Sequence, residues 1–171
     1  MAANVTSIKP GDTNRFAKQN ATPRDPARNA GREPGDQSLL SVTSVAADRA
    51  ALRDILQGSA WQMTAAANCR EAVEELRRDH VSVIVCESAL DDGTWKDILC
   101  HISQSLNPPL LIVTSRLADA YLWSEVLNLG GYDVLATPFR PQEVRYVLTT
   151  ASLHLAHTAP GTRLATAFIN G

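Results

Sequence analysis

The sequence predicts an α/β domain in which a parallel, five-stranded sheet is covered by helices on both faces. Five short apolar runs alternate with five amphipathic stretches between residues 39 and 157, and this alternation is typical of a sheet wrapped on both sides. The runs at 81–87 and 110–115 are apolar or β-branched at nearly every position. Strands covered on both faces have that composition, so we expect these two runs at the centre of the sheet.

Each predicted strand is followed by residues that turn the chain or start a helix. Pro108 and Pro109 break the chain before the fourth strand, and Pro138 ends the fifth. The second run, WQMTAAA, is the weakest of the five because only part of it is strongly apolar. The predicted strands are 39–43, 61–67, 81–87, 110–115 and 132–137.

Helix signals fill the segments between the strands. Asp48 is expected to open the first helix, and Asn68 with Glu71 resembles a capping box for the second. Residues 88–94 are predicted to be a loop before the third helix, and Pro141 occupies the first turn of the fifth. The predicted helices are 48–58, 69–80, 95–105, 118–129 and 142–157. On the last two helices, the inward-facing residues are predicted to be Leu122, Val126, Leu129, Val144, Val147, Leu148, Ala151 and Leu155.

Right-handed crossovers leave few topologies for such a chain, and at this size the flavodoxin-like strand order 2-1-3-4-5 is the common one. We therefore predict a single doubly wound domain. A functional site in this fold lies at the carboxyl ends of the strands. The residues expected there are Thr43, Ser44, Glu87, Thr114 and Thr137.

The domain is predicted to span 38–157, between a disordered tail at 1–37 and a flexible tail at 158–171. The N-terminal region holds four of the nine prolines and few large apolar side chains, so burial cannot offset its ordering entropy. It carries six Lys/Arg and four Asp/Glu, which leaves ten and fourteen for the rest of the chain. An acidic body argues against binding to nucleic acid or to an anionic membrane.

Sequence features also bear on the cellular compartment. No apolar run approaches the roughly 20 residues that span a bilayer, and the N-terminus lacks the continuous apolar core of a secretory signal. The spacing of Cys69, Cys86 and Cys100 fits neither a zinc site nor a disulfide framework. These features predict a cytoplasmic protein whose thiols serve as small apolar side chains.

Three segments resemble the sequence landmarks of response-regulator receiver domains, including the free-standing chemotaxis type. CESALDDGTW (86–95) follows the third strand, LLIVTS (110–115) forms the fourth, and GGYDVLATPF (130–139) contains the fifth. They match, in order and spacing, the family's acceptor-loop, Thr/Ser–Ala and Lys–Pro–Phe signatures. The resemblance covers residues 39–157.

The resemblance implies a site with five elements: an acidic pair for Mg²⁺, a phosphoacceptor Asp, a Thr or Ser, a Lys before a proline, and an aromatic switch residue. Four of these elements are altered in this sequence, and the contacts to metal and phosphate that carry full charge are lost. Electrostatic stabilisation is most of what phosphoryl transfer requires, so phosphorylation should be weak or absent, with no metal or other cofactor bound. The corresponding residues, in the same order, are Thr43 and Ser44, Glu87, Thr114, Thr137 and Val134.

Glu87 has two interpretations at this stage. Glu is one methylene longer than Asp, so its carboxylate could reach toward Thr114 and imitate a phosphorylated aspartate. That contact would hold the domain in an active-like state without a kinase. The alternative is a partly solvated carboxylate at the rim of the sheet with no partner.

Two further features of the site have both functional and structural interpretations. Asp91 and Asp92 could accept a metal or a phosphoryl group, or they could form the turn and cap the following helix near Gly93. The resemblance also implies a cis peptide bond before Pro138, with a structural role in the turn to the last helix.

Tyr121 and Trp123, on the fourth helix, are candidate interface residues because exposed aromatic side chains are good anchors. The alternative for Trp123 is partial burial under a loop. The resemblance implies that the face formed by the fourth helix, fifth strand and fifth helix is the usual surface for dimers and partners.

These observations predict a stand-alone, non-enzymatic module of a bacterial two-component or phosphorelay pathway. It would act independently of phosphorylation on a histidine kinase, a downstream effector or a second copy, since no output domain fits after residue 157. One alternative is a working phosphorelay receiver that uses Glu87, Asp91 or Asp92 as acceptor. Another is a flavodoxin-like enzyme or small-ligand binder, although VAAD (45–48) stands where a glycine-rich phosphate loop would follow the first strand.

Overall fold

A computed structural model describes residues 37–158, and its central element is a parallel sheet of five strands. The strand order is β2-β1-β3-β4-β5, so the predicted flavodoxin-like topology is confirmed. All four strand pairs are parallel, with Glu87 on β3 opposite Thr114 on β4. The strands are β1 (Ser38–Val42), β2 (Gln62–Ala66), β3 (Val83–Glu87), β4 (Leu110–Ser115) and β5 (Asp133–Ala136).

Five helices cover the sheet and divide its core into two layers. One buried cluster joins the sheet to α2, α3 and α4, and the other joins it to α1 and α5. Neighbouring residues of β3 supply opposite layers: Ile84 packs in the first cluster and Val85 in the second. This explains why the central strands are apolar throughout. The helices are α1 (Ala46–Leu56), α2 (Cys69–Arg78), α3 (Trp95–Ile102), α4 (Ala120–Leu129) and α5 (Pro141–Thr158).

Three local expectations were wrong. Helix α1 begins at Ala46, so Asp48 lies inside its first turn, where a carboxylate still favours the positive end of the helix dipole. The segment 88–94, expected to be a loop, contains a hairpin of Ala89–Leu90 and Gly93–Thr94. Leu129 was expected to face inward but is 53% exposed, because α4 ends there and the chain turns at Gly130, which has φ 102°.

The two predicted tails, 1–37 and 158–171, lie outside the described residues, apart from Gln37 and Thr158. Within the described part of the chain, no helix combines the length and apolar character needed to cross a membrane.

Candidate functional site at the carboxyl ends of the strands

The structure brings Thr43 and Glu87 into direct contact at the carboxyl edge of the sheet. Thr43 directly follows β1, Glu87 ends β3, and these two strands are neighbours in the sheet. The Thr43 hydroxyl donates a hydrogen bond of 2.8 Å to Oε2 of Glu87. The same hydroxyl oxygen accepts a bond of 3.1 Å from the backbone N–H of Val45. Thr43 therefore links the Glu87 carboxylate to the start of α1.

This contact differs from both interpretations of Glu87 made from the sequence. The carboxylate is half-buried and hydrogen-bonded, so it is not a rim group without a partner. The bond that it makes is to Thr43, on the β1 side, whereas imitation of a phosphorylated aspartate requires a contact with Thr114, on the β4 side. Sequence reasoning missed the partner because a Thr in place of an acidic residue was read only as the loss of a metal ligand.

Three of the other residues predicted for this site are buried and uncharged, whereas Ser44 is exposed. Thr114 and Thr137 are buried, and their backbones join neighbouring loops: Thr114 accepts from the Ser88 N–H at 2.8 Å, and Thr137 donates to the Ser115 carbonyl at 3.0 Å. Val134 is buried in the same cluster as Val126 of α4. The peptide bond between Thr137 and Pro138 is cis.

Two arginines lie beside these residues, and sequence reasoning identified neither. Nη1 of Arg49 donates to the Thr43 carbonyl over 3.4 Å. Arg116, directly after β4, forms an ion pair of 3.4 Å with Asp48 in the first turn of α1. The signal available in the sequence was weak, because Arg116 and Asp48 are 68 residues apart. The pair connects the loop after β4 to α1 across the edge that carries Glu87.

Asp92 has a structural role that differs from the capping role predicted for it. Its two carboxylate oxygens accept bonds of 2.7 and 3.0 Å from the backbone N–H groups of Cys69 and Arg70. It thus caps α2, the preceding helix, whereas α3 has its own capping box formed by Thr94 and Asp97. Partial burial acts to raise the pKa of Asp92, but these hydrogen bonds outweigh it and hold the pKa below its ordinary value.

The donor set at the strand ends does not fit Mg²⁺. This ion needs near-octahedral oxygen coordination and is usually held by one or two carboxylates with water. Among residues 37–158, no group of three or more His, Cys, Asp or Glu side chains is arranged to hold a metal. Oε2 of Glu87 and both carboxylate oxygens of Asp92 already accept protein hydrogen bonds. Thr43 and Ser44 offer only hydroxyls.

Comparisons with known proteins agree with this fold. No family model matches the chain. A two-component response regulator of rice, Oryza sativa subsp. indica, is 28% identical over 110 residues, covering 62% of this chain and 74% of the relative. The signal receiver domain of an HD domain-containing protein from Pseudomonas fluorescens superposes with a TM-score of 0.65 at 21% identity, covering 71% of this chain and 90% of the other. The chain folds as a response-regulator receiver domain. A beryllofluoride-activated NtrC4 receiver domain dimer also matches, with a TM-score of 0.65 at 19% identity, covering 70% and 98% of the two chains.

The face formed by α4, β5 and α5 carries exposed aromatic side chains. Tyr121 is 77% exposed and Trp123 is half-exposed. The Trp123 indole N–H donates to Oδ1 of Asp133, at the start of β5, over 3.4 Å. This contact sets the ring toward β5, the strand at the edge of the sheet. Tyr146 and Leu153 of α5 are also exposed. The two candidate interface residues are thus accessible, and Trp123 is not buried under a loop.

Proposed function

We propose that this receiver domain is a signalling module that works by protein contact and does not depend on phosphorylation. The hydrogen bond between Thr43 and Glu87 is the observation that carries the proposal. It occupies the acceptor-equivalent carboxylate with a hydroxyl from the position where the family's metal-binding acid would be.

Electrostatics argue against phosphoryl transfer at this site. An incoming phosphoryl group brings negative charge toward Glu87, itself a carboxylate. Catalysis of this reaction depends mostly on cations that neutralise such charge. Thr137 supplies a hydroxyl where the family has lysine, and Thr43 and Ser44 cannot hold a divalent cation with carboxylates. Neither a bound metal nor a lysine at position 137 would therefore compensate this repulsion.

The surface proposed for protein contact is the face of α4, β5 and α5. Tyr121, Trp123 and Tyr146 expose large aromatic side chains there, and such residues supply much of the binding energy in protein interfaces. The NtrC4 receiver domain, which is similar in structure, is a dimer in its activated form. We propose a signalling protein, either a kinase or an effector, or a second copy as the occupant of this face.

The direct test is incubation with acetyl phosphate and excess Mg²⁺, followed by intact-mass measurement for a phosphoryl adduct. The expected result is no adduct on the wild-type chain and no change in its association with partners. A variant combining Thr43→Asp, Glu87→Asp and Thr137→Lys restores the acceptor, the lysine and one acid of the pair, and it is expected to gain an adduct. An adduct on the wild-type chain that strengthens association would refute the proposal.

A second candidate function is a working phosphorelay receiver with an unusual acceptor. Arg49 favours it, because its guanidinium lies beside the Thr43 carbonyl and places one cation near the strand ends. Asp91 is exposed in the hairpin turn and is available as an acceptor, whereas Asp92 is committed to the cap of α2. Peptide mapping of any adduct distinguishes Glu87 from Asp91.

A further inference from the structure

An open groove of about 490 Å³ lies at the edge of the sheet opposite Glu87. It is bounded by the C-terminal ends of α3 and α4 and by the start of β4. Its lining includes Pro108, Leu110, Leu129 and Tyr132. Its volume falls within the range of roughly 300–1,000 Å³ that is typical of sites for apolar groups. Since the strands point away from this edge, the groove is separate from the candidate site.

The groove exposes apolar surface that the described residues leave uncovered. Leu129 is 53% exposed there, and Tyr132 is half-buried. The Tyr132 ring makes an edge-on contact with the ring of His154, with centroids 5.7 Å apart. His154 belongs to the last turns of α5, so this helix delivers the chain to the rim of the groove.

The residues after α5 have the composition and reach to cover this surface. Thr158 is four residues beyond His154, about 6 Å along a helix. Residues 159–163 span at most roughly 17 Å when extended, which exceeds the roughly 6 Å between Thr158 and His154, a residue of the groove lining. The segment 159–171, APGTRLATAFING, contains Leu164, Phe168 and Ile169 and a single charged residue, Arg163. Pro160 and Gly161 favour a change of chain direction directly after the helix.

We propose that residues 159–171 fold back and dock in this groove, with Leu164 and Phe168 as the apolar anchors. The two anchors are four residues apart, the spacing at which side chains share one side of a helix. The N-terminal region fits less well, because it offers few large apolar residues over a much greater length. The sequence prediction for residues 158–171 was a flexible tail, and the uncovered groove beside α5 is the reason for a different conclusion.

Cys100 is a natural reporter for this docking. It lines the groove and is exposed, whereas Cys69 and Cys86 are buried. Burial raises the pKa of Cys69 to about 12 and also raises the pKa of Cys86. Because thiolates are the reactive form, an alkylating reagent at neutral pH should label Cys100 selectively.

The experiment measures the alkylation rate of Cys100 in the full 171-residue chain and in three kinds of variant. Leu164→Ser with Phe168→Ser removes both anchors, and Thr162→Ser with Thr166→Ser is the matched control in the same segment. Leu129→Ser alters the groove, and its control is Leu153→Ser, since these two leucines are similarly exposed, at 53% and 56%.

The expected result is slow labelling of Cys100 in the wild-type chain and in both controls. Labelling should be faster in the anchor and groove variants, because each anchor lost lowers the docking constant by about tenfold. Equal rates in all chains would overturn the proposal. If Cys100 is labelled more slowly as the protein concentration rises, the groove is occupied by a second copy. If the double variant Ile8→Ser and Phe16→Ser speeds the labelling of Cys100, the groove is occupied by the N-terminal region. Either result would also overturn the proposal.

Discussion

The contact between Thr43 and Glu87 predicts an energetic coupling that a double-mutant cycle can measure. Thr43→Val keeps the shape of the side chain and removes the hydroxyl, so Glu87 loses its donor and the Val45 N–H loses its acceptor. Glu87→Ala removes the carboxylate and leaves the bond to Val45 intact. The double variant completes the cycle and isolates the bond between the two side chains.

The magnitude follows from burial. A hydrogen bond to a charged group contributes roughly 1.5–3 kcal/mol to the free energy of unfolding when it is shielded from water. Thr43 is only 6% exposed, but Glu87 is half-buried, so solvent weakens the interaction. We therefore expect a coupling energy of about 1 kcal/mol between the two positions. The single change Thr43→Val should cost more, about 2 kcal/mol, because it also leaves the Val45 N–H unpaired.

Urea denaturation of the four chains, followed by circular dichroism, gives the free energies of unfolding. Thr43→Ser is the control, since it retains the hydroxyl and should preserve most of the coupling to Glu87. A coupling energy below about 0.3 kcal/mol, the limit within which independent sites are additive, would refute the reasoning. It would mean that Glu87 is solvated and that Thr43 does not hold it.

Three further predictions concern the metal, the loop and the interface. Mg²⁺ at millimolar concentration should leave the melting temperature of the protein unchanged, since only a ligand that binds the folded state raises it. A clear rise would show that the residues at the strand ends do bind Mg²⁺. Asp92→Ala should lower the free energy of unfolding at pH 7 by about 1 kcal/mol, as for other lost caps. Because its hydrogen bonds lower the pKa of Asp92 from 3.8, this stabilisation is present above that pH and should disappear as the pH falls through the folded-state pKa. Trp123→Ala should weaken self-association, measured by sedimentation, by about 2 kcal/mol, whereas Leu106→Ala, on a fully exposed loop residue, should not.

The fold could be predicted from the sequence because its signals are local. Each strand is a short apolar run, and each helix has a periodic apolar face, so the alternation alone specified a parallel sheet. The ends of the helices were predicted less accurately than their existence, as α1 shows. The prediction placed its start at Asp48, because acidic residues are preferred as helix caps. The helix begins at Ala46 instead, after Val45, which makes no side-chain cap.

The sequence predicted that Thr43 and Glu87 lie at the same edge of the sheet, but it did not predict their contact. Parallel topology places Thr43 and Glu87 at one edge, yet the direction of the Glu87 carboxylate depends on which neighbour donates to it. The cap formed by Asp92 was missed for a similar reason, because its partners Cys69 and Arg70 lie more than 20 residues earlier, at separations of 23 and 22. Contacts across such distances depend on packing and leave no short sequence signal.

The side chains at the ends of β1 and β3 are physically linked. Where an acidic pair follows β1, another carboxylate nearby is repelled, and ionisation of the cluster requires a cation. With Thr43 in place of an acid, the end of β1 offers a hydrogen-bond donor, and the longer side chain of Glu87 reaches it over 2.8 Å. An acidic side chain at position 43 would repel Glu87, and an aspartate at position 87, one methylene shorter, would lie farther from the Thr43 hydroxyl. The pairing of a hydroxyl with a glutamate therefore joins the ends of β1 and β3 without a bound cation.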